Sequence, residues 1–125
     1  MEKRMARWLS AVLAATWLAG FALPAGAETL TWHFRSEHPN VVSVELYSEQ
    51  RNHVWPGGGK IYILDDYSVR DISISCRPGE KICYGAWVRN RTSSYWGVGY
   101  NKRNSCTSCC YTCNGGETKI IVLNP

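Results

Sequence analysis

Apolar and polar residues alternate along most of the chain after residue 28, with the period of two that is typical of β-strands with one buried face. Leu30, Trp32 and Phe34 form the apolar face of the first such segment, residues 29–36. Further segments with this character lie at residues 42–47, 60–64, 69–76, 81–88, 95–100 and 118–123. Because turn-forming residues separate them and no segment has a helical period, we predict an all-β fold. The expected architecture is a small antiparallel β-sandwich or barrel of about seven strands.

The dipeptide Pro78-Gly79 separates two of the predicted strands, residues 69–76 and 81–88. Pro and Gly favour tight turns, so we predict that these two strands form a hairpin. In the second strand, alternate residues from Ile82 to Val88 share one face, while Cys83 and Trp87 lie on the other.

The first 27 residues have the pattern of a secretory signal peptide. A basic start is followed by an apolar run, residues 8–23, and by the small residues Ala25-Gly26-Ala27. We predict a signal-peptide helix over residues 1–27, cleavage before Glu28, and one domain over residues 28–125, secreted or periplasmic. The alternative is an uncleaved anchor. No later apolar stretch reaches membrane length, so we expect no stable insertion of the mature chain.

All six cysteines lie in the predicted mature domain, four of them within eight residues. An even number of cysteines in an exported chain indicates three disulfides. The six are Cys76, Cys83, Cys106, Cys109, Cys110 and Cys113. In a domain of about 100 residues each bond contributes about 2–4 kcal/mol, a large share of the stability. We therefore expect the fold to depend on these bonds.

Six cysteines can form three disulfides in fifteen ways, and their spacing in the sequence excludes only some of these. In a regular strand Cys106 and Cys109 would lie about 10 Å apart, too far to bond, so we expect residues 106–113 to form a loop next to the predicted hairpin. One hairpin register allows a local Cys76–Cys83 bond. The register that better suits the apolar pattern sends both cysteines to the later cluster, and we favour it.

The same cluster allows two other chemistries. Four thiolates could ligate zinc, although the two C-x-x-C motifs abut and leave no room for the usual intervening hairpin. A C-x-x-C motif could also be a redox site, which usually needs a helix N-terminus. An exported metal-thiolate or thiol-redox protein using Cys106–Cys113 is therefore an alternative function. With disulfides favoured, we expect neither a metal nor a cofactor.

Charge divides the mature chain unequally. Residues 28–80 hold five basic and eight acidic side chains, whereas residues 81–116 hold five basic and no acidic ones. Several aromatic residues lie in the same basic stretch. Arg and Lys donate hydrogen bonds to anionic oxygens, and aromatic rings offer flat apolar faces. This combination suits an anionic glycan or an acidic protein; it also suits core residues with a solvated basic face.

We therefore predict a non-catalytic extracytoplasmic binding or interaction module. The candidate contact residues are Trp87, Arg89, Arg91, Tyr95, Trp96, Tyr100, Lys102 and Arg103. Nucleic acid is not an expected partner outside the cell. An alternative is an inhibitor of a secreted hydrolase that would insert the loop at residues 50–59, with Arg51, His53 and Trp55. We find no sequence motif of a catalytic triad, a phosphate-binding loop or a calcium loop.

We expect the exported chain to begin at Glu28 and to have lost the six thiol hydrogens of its cysteines. Intact-mass measurement under non-reducing conditions, with and without a reductant, checks both points. Free thiols together with bound zinc would contradict the disulfide prediction and support the metal alternative.

Overall fold

The computed structural model describes residues 26–125. Most of the predicted signal peptide, with its helix, lies outside this range. Within the range the chain forms nine β-strands and no α-helix. The strands are β1 (Glu28–Ser36), β2 (Val42–Ser48), β3 (Val54–Trp55), β4 (Tyr62–Leu64), β5 (Val69–Cys76), β6 (Lys81–Val88), β7 (Arg91–Gly97), β8 (Cys110–Thr112) and β9 (Glu117–Leu123). The prediction of a disulfide-bonded all-β fold is confirmed.

The strands form two sheets. In the three-stranded sheet, β1 lies between β5, which is antiparallel to it, and β9, which is parallel to it. In the six-stranded sheet, β2 and β6 are the central antiparallel pair. The short strands β3 and β4 pair along the outer edge of β2, and β7 and β8 pair along the outer edge of β6.

Alternate residues of both sheets face a common apolar core. Trp32 and Phe34 of β1 are fully buried, with stacked rings whose centroids lie 5.8 Å apart. From the opposite sheet, the Tyr84 ring packs edge-on against Phe34, with the centroids 5.4 Å apart. The Tyr111 ring packs edge-on against Trp32, at 5.2 Å. Each of these aromatic contacts adds about 0.5–1.5 kcal/mol to the burial of the rings.

The predicted hairpin of residues 69–76 and 81–88 is wrong. Both strands have the predicted bounds, but β5 pairs with β1 and β6 pairs with β2, in different sheets. Pro78-Gly79 carries the chain across the core instead, and the apolar faces of β5 and β6 oppose each other. Alternation shows which face of a strand is buried, but it does not show which strand lies beside it.

The outer face of the six-stranded sheet carries a second, smaller apolar cluster of Tyr47, Cys83, Val98 and Cys109. Residues 98–109, here called the cover segment, lie over this face. The backbone N–H of Val98 donates to the Tyr84 carbonyl at 3.0 Å, and that of Asn101 donates to the Tyr47 hydroxyl at 3.1 Å. Strand β6 is therefore buried on both faces.

The start of the cover segment also explains why the predicted strand at residues 95–100 is displaced. The strand ends at Gly97, and both Gly97 and Gly99 have positive φ, 63° and 67°. That backbone conformation turns the chain out of the sheet at little cost only when the residue lacks a Cβ. The chain then makes a short 3-10 turn at Tyr100–Lys102.

Close approach of the cover segment to the sheet requires a glycine at position 85. A Cβ there would lie 2.2 Å from the Gly99 carbonyl oxygen and 2.9 Å from the Tyr47 ring. The oxygen belongs to backbone and the ring is buried, so neither can move away easily.

We expect Gly85→Ala to lower the free energy of unfolding by about 1–3 kcal/mol, because the added methyl group displaces the cover segment. Urea denaturation measures the change. Gly116→Ala is the control, since its Cβ would meet only the flexible Asn114 side chain of the same turn, at 3.1 Å. Equal stability of Gly85→Ala and the wild type would contradict the close packing of the cover segment.

Candidate functional site

The predicted contact residues divide between the interior and the surface. Trp87 is only 6% exposed, and its ring meets the Tyr100 ring edge-on at 5.1 Å. Trp96 lies on the opposite side of its sheet and packs against the main core. Its indole N–H donates to the Asn124 carbonyl at 2.8 Å. Trp87 therefore supports the structure from within, whereas Trp96 is partly buried and also lines an open pocket beside Tyr95.

The remaining predicted residues lie at the surface. They are Arg89, Arg91, Tyr95, Tyr100, Lys102 and Arg103, here called the cationic aromatic surface. Tyr95 is 45% exposed, while Tyr100 is partly buried. The Arg103 guanidinium lies over the Tyr100 ring, 4.8 Å from its centroid, which keeps the ring and the charge together.

Two elements bring this surface together. Tyr95 on β7 lies directly opposite Trp87 on β6, and Tyr100 of the cover segment contacts Trp87. Arg89 and Arg91 flank the tight turn that joins the same two strands. Buried Trp87 is thus the common support of an exposed tyrosine and a partly exposed tyrosine.

The charge of this surface is only slightly compensated. Among residues 26–125, one ion pair reaches it, between Lys102 Nζ and a Glu49 carboxylate oxygen at 3.3 Å. The three arginines are in none of the ion pairs of the described chain. Exposed guanidinium groups beside aromatic rings can bind carboxylate or sulfate oxygens in a bidentate manner.

The structure contains a buried carboxylate that the sequence pattern does not indicate. The Glu80 side chain is 2% exposed and accepts hydrogen bonds from Arg51 Nε at 2.5 Å, Arg51 Nη2 at 3.0 Å and the Ser48 hydroxyl at 2.5 Å. It also accepts from the Arg77 backbone N–H at 2.9 Å. Chiefly through the bonds from Arg51, the pKa of Glu80 falls from 4.5 to about 2. The carboxylate connects the loop after β2 to residues 77–80, the crossover that joins β5 in one sheet to β6 in the other.

An open groove of about 500 Å³ lies near this carboxylate. Its lining includes Arg51, His53, Ser75, Arg77 and Pro78. Trp55 in the same loop is buried, and its indole N–H donates to the Ser75 carbonyl at 3.0 Å. Of the side chains expected to insert into a hydrolase, Arg51 and Trp55 are held within the domain, and His53 is exposed.

A second charged cluster lies on the outer face of the three-stranded sheet. His33 of β1 contacts Asp71 through Nδ1 at 2.6 Å and Glu117 through Nε2 at 2.5 Å. The bonds to Asp71 and then to Glu117 raise the pKa of His33 above 6.5. A raised folded-state pKa means that this contact stabilises the fold below about pH 6.5 and that its contribution is lost as the pH rises through the raised value.

The six cysteines form three disulfides, Cys76–Cys113, Cys83–Cys110 and Cys106–Cys109. The prediction that Cys76 and Cys83 both bond to the later cluster is confirmed, although the hairpin register used to argue it does not exist. Cys106 and Cys109 bond because their segment is a loop, with the Cα atoms 5.9 Å apart. In this state no cysteine is free to ligate a metal, and residues 26–125 contain no cluster of three or more candidate ligands.

Three intact disulfides indicate an oxidising environment, as is found outside the cytoplasm. No helix within the described part of the chain has the length and apolar character needed to cross a membrane. Comparison with protein-family models, curated proteins and solved structures finds no match to this chain.

We expect Glu80→Gln to destabilise the fold by about 3 kcal/mol at pH 7, because it removes the charge of the buried carboxylate, whose pKa is lowered from 4.5 to about 2 in the folded state. The pKa of Glu80 is depressed, so its contribution is present above about pH 4.5 and is lost as the pH falls towards 2. The stability difference between wild type and variant should therefore shrink over that interval in urea titrations at several pH values.

Glu37→Gln is the matched control, because that carboxylate is exposed and lies 3.4 Å from Arg35. Its loss should change the stability by less than about 1 kcal/mol. If Glu80→Gln behaved like this control at pH 7, the cluster would not have the stabilising role assigned to it.

Proposed function

We propose that the chain is an exported, non-catalytic binding module and that the cationic aromatic surface binds an anionic glycan. The juxtaposition of Tyr95 and Tyr100 with three arginines outside any described ion pair carries the proposal. Sugar rings pack against aromatic faces, and sulfate or uronate groups accept hydrogen bonds from guanidinium. The bulk of the charge comes from a stretch, residues 81–116, that has no acidic residue.

The rigidity of the surface supports the same conclusion. The cover segment that holds Tyr100 and Arg103 is bonded to the sheet at Val98, Asn101 and Cys109. Side chains that are already held in position lose less conformational entropy on binding than those on a mobile loop. The signal-peptide pattern and the disulfides support action outside the cytoplasm.

An acidic protein is the second partner class, because arginines bind carboxylates of either source. A glycan is favoured by Tyr95, whose ring is 45% exposed and can pack against a sugar, while the Tyr100 ring lies under the Arg103 guanidinium. Two probes distinguish the classes: heparin supplies sulfated sugar rings, and polyglutamate supplies carboxylates without sugar rings.

The test replaces Arg89, Arg91 and Arg103 with Gln and measures heparin binding by calorimetry at low salt. We expect the affinity to fall about 10- to 100-fold, because the variant loses the guanidinium hydrogen bonds to sulfate and carboxylate groups. Tyr95→Ala should weaken binding to heparin more than binding to polyglutamate, because only the sugar packs against the ring.

Lys60→Gln, Arg77→Gln and Lys119→Gln together form the control, which removes the same charge from exposed positions elsewhere. Equal loss of affinity in both triple variants would show that net charge, and not this surface, drives binding. Retention of affinity in the Arg89, Arg91 and Arg103 variant would exclude the surface.

A further inference from the structure

The three disulfides differ in how firmly the backbone around them is held. Before Cys106, the last backbone hydrogen bond of the cover segment runs from Asn104 N–H to the Val98 carbonyl at 3.1 Å. The next runs from Tyr84 N–H to the Cys109 carbonyl at 3.0 Å. The four residues between them, 105–108, thus form a loop without a backbone hydrogen bond to the sheet, and the Cys106–Cys109 bond closes this loop.

The same bond lies in a loop outside both sheets, and it joins a partly exposed cysteine, Cys106, to Cys109, which is 1% exposed. The two residues between the paired cysteines, Thr107 and Ser108, are exposed. Cys76 and Cys113 are both buried, at 3% and 0% exposure. Cys83–Cys110 also joins a buried cysteine to a partly exposed one, but these two residues lie opposite each other in two hydrogen-bonded strands.

We propose that the Cys106–Cys109 disulfide is a thiol-exchange site, which a dithiol reduces while the other two disulfides and the sandwich remain intact. The reaction takes place at a loop outside both sheets. It requires no contact with the cationic aromatic surface and goes beyond the function proposed above.

Chain topology explains why the sandwich would survive this reduction. A disulfide stabilises a fold mainly by restricting the unfolded chain, and the restriction grows with the length of the closed loop. The sequence separation is 3 for Cys106–Cys109, against 27 for Cys83–Cys110 and 37 for Cys76–Cys113. Reduction of the Cys106–Cys109 bond therefore lowers the free energy of unfolding less than reduction of either other bond.

The chemistry balances as a two-electron exchange. A thiolate of the dithiol attacks the sulfur of Cys106, forms a mixed disulfide and releases the sulfur of Cys109 as a thiolate, which takes up a proton. The second thiol of the donor then attacks the donor sulfur in the mixed disulfide. Cys106 leaves as a thiolate and takes up the second proton, and the donor departs as its own disulfide.

The experiment treats the oxidised mature protein with increasing dithiothreitol, blocks free thiols with N-ethylmaleimide and locates the label by mass spectrometry. Trypsin leaves four of the cysteines in one peptide, residues 104–119, so fragment spectra are needed to place the label. We expect Cys106 and Cys109 to be labelled together, at a rate about tenfold or more above that of the other four cysteines. The far-ultraviolet circular dichroism should keep its β-sheet signal at that stage.

A variant with Cys106→Ser and Cys109→Ser is the matched control. It should fold and should show no labelling at the dithiothreitol concentration that reduces this pair in the wild type. Labelling of Cys83 and Cys110, or of Cys76 and Cys113, before or together with the pair would overturn the proposal. Loss of the β-sheet signal in step with reduction of Cys106–Cys109 would overturn it as well.

Discussion

The crossover between the two sheets is the constraint on which the rest of the molecule depends. Beside it, the Cys76–Cys113 bond joins the end of β5 to the residue that follows β8. Two backbone hydrogen bonds, from Gly79 to Cys113 and from Cys113 to Glu80, hold the same point at 2.7 and 2.8 Å. A domain of this size buries too little surface to fix two sheets by packing alone, so a covalent link at the crossover has a large effect.

Strand β6 shows how a small chain gains a second buried layer. One face of the strand contributes to the main core, and the other is covered by residues 98–109. The Tyr47 hydroxyl under this layer accepts from Asn101 N–H and donates to Glu45 at 3.1 Å. Burial raises the pKa of both Glu45 and Tyr47. The Glu45 and Tyr47 side chains there are thus paired with each other, which limits the cost of removing these two groups from water.

The sequence predicts local structure well because alternation depends on each strand alone. The bounds of β5 and β6 agree with the prediction, and Trp32 is buried as its place in the pattern requires. Strands β3 and β8, of two and three residues, are too short for alternation to reveal.

Which strand pairs with β5 could not be predicted from the sequence, because β1 and β6 both have an apolar face and alternation does not distinguish between them. The Glu80 cluster is hidden for the same reason, because Ser48 and Arg51 meet that carboxylate only after the sheets assemble. The basic stretch of residues 81–116 can be read from the sequence. The burial of Trp87 cannot, because it depends on Gly85, which allows the cover segment to lie close to the sheet. The sequence therefore predicts the charged residues of the candidate site, but it does not predict which aromatic rings remain exposed, because that depends on the packing of the cover segment.

The parallel pairing of β1 with β9 also has a consequence for the order of assembly. The first and last strands of the domain are neighbours, and His33, Phe34 and Arg35 lie beside Ile120, Ile121 and Val122. Leu123, at the end of β9, is fully buried in the core. The three-stranded sheet therefore cannot be completed until β9, the last strand of the domain to be synthesised, is free to pair with β1, so that this sheet closes after the other strands are available.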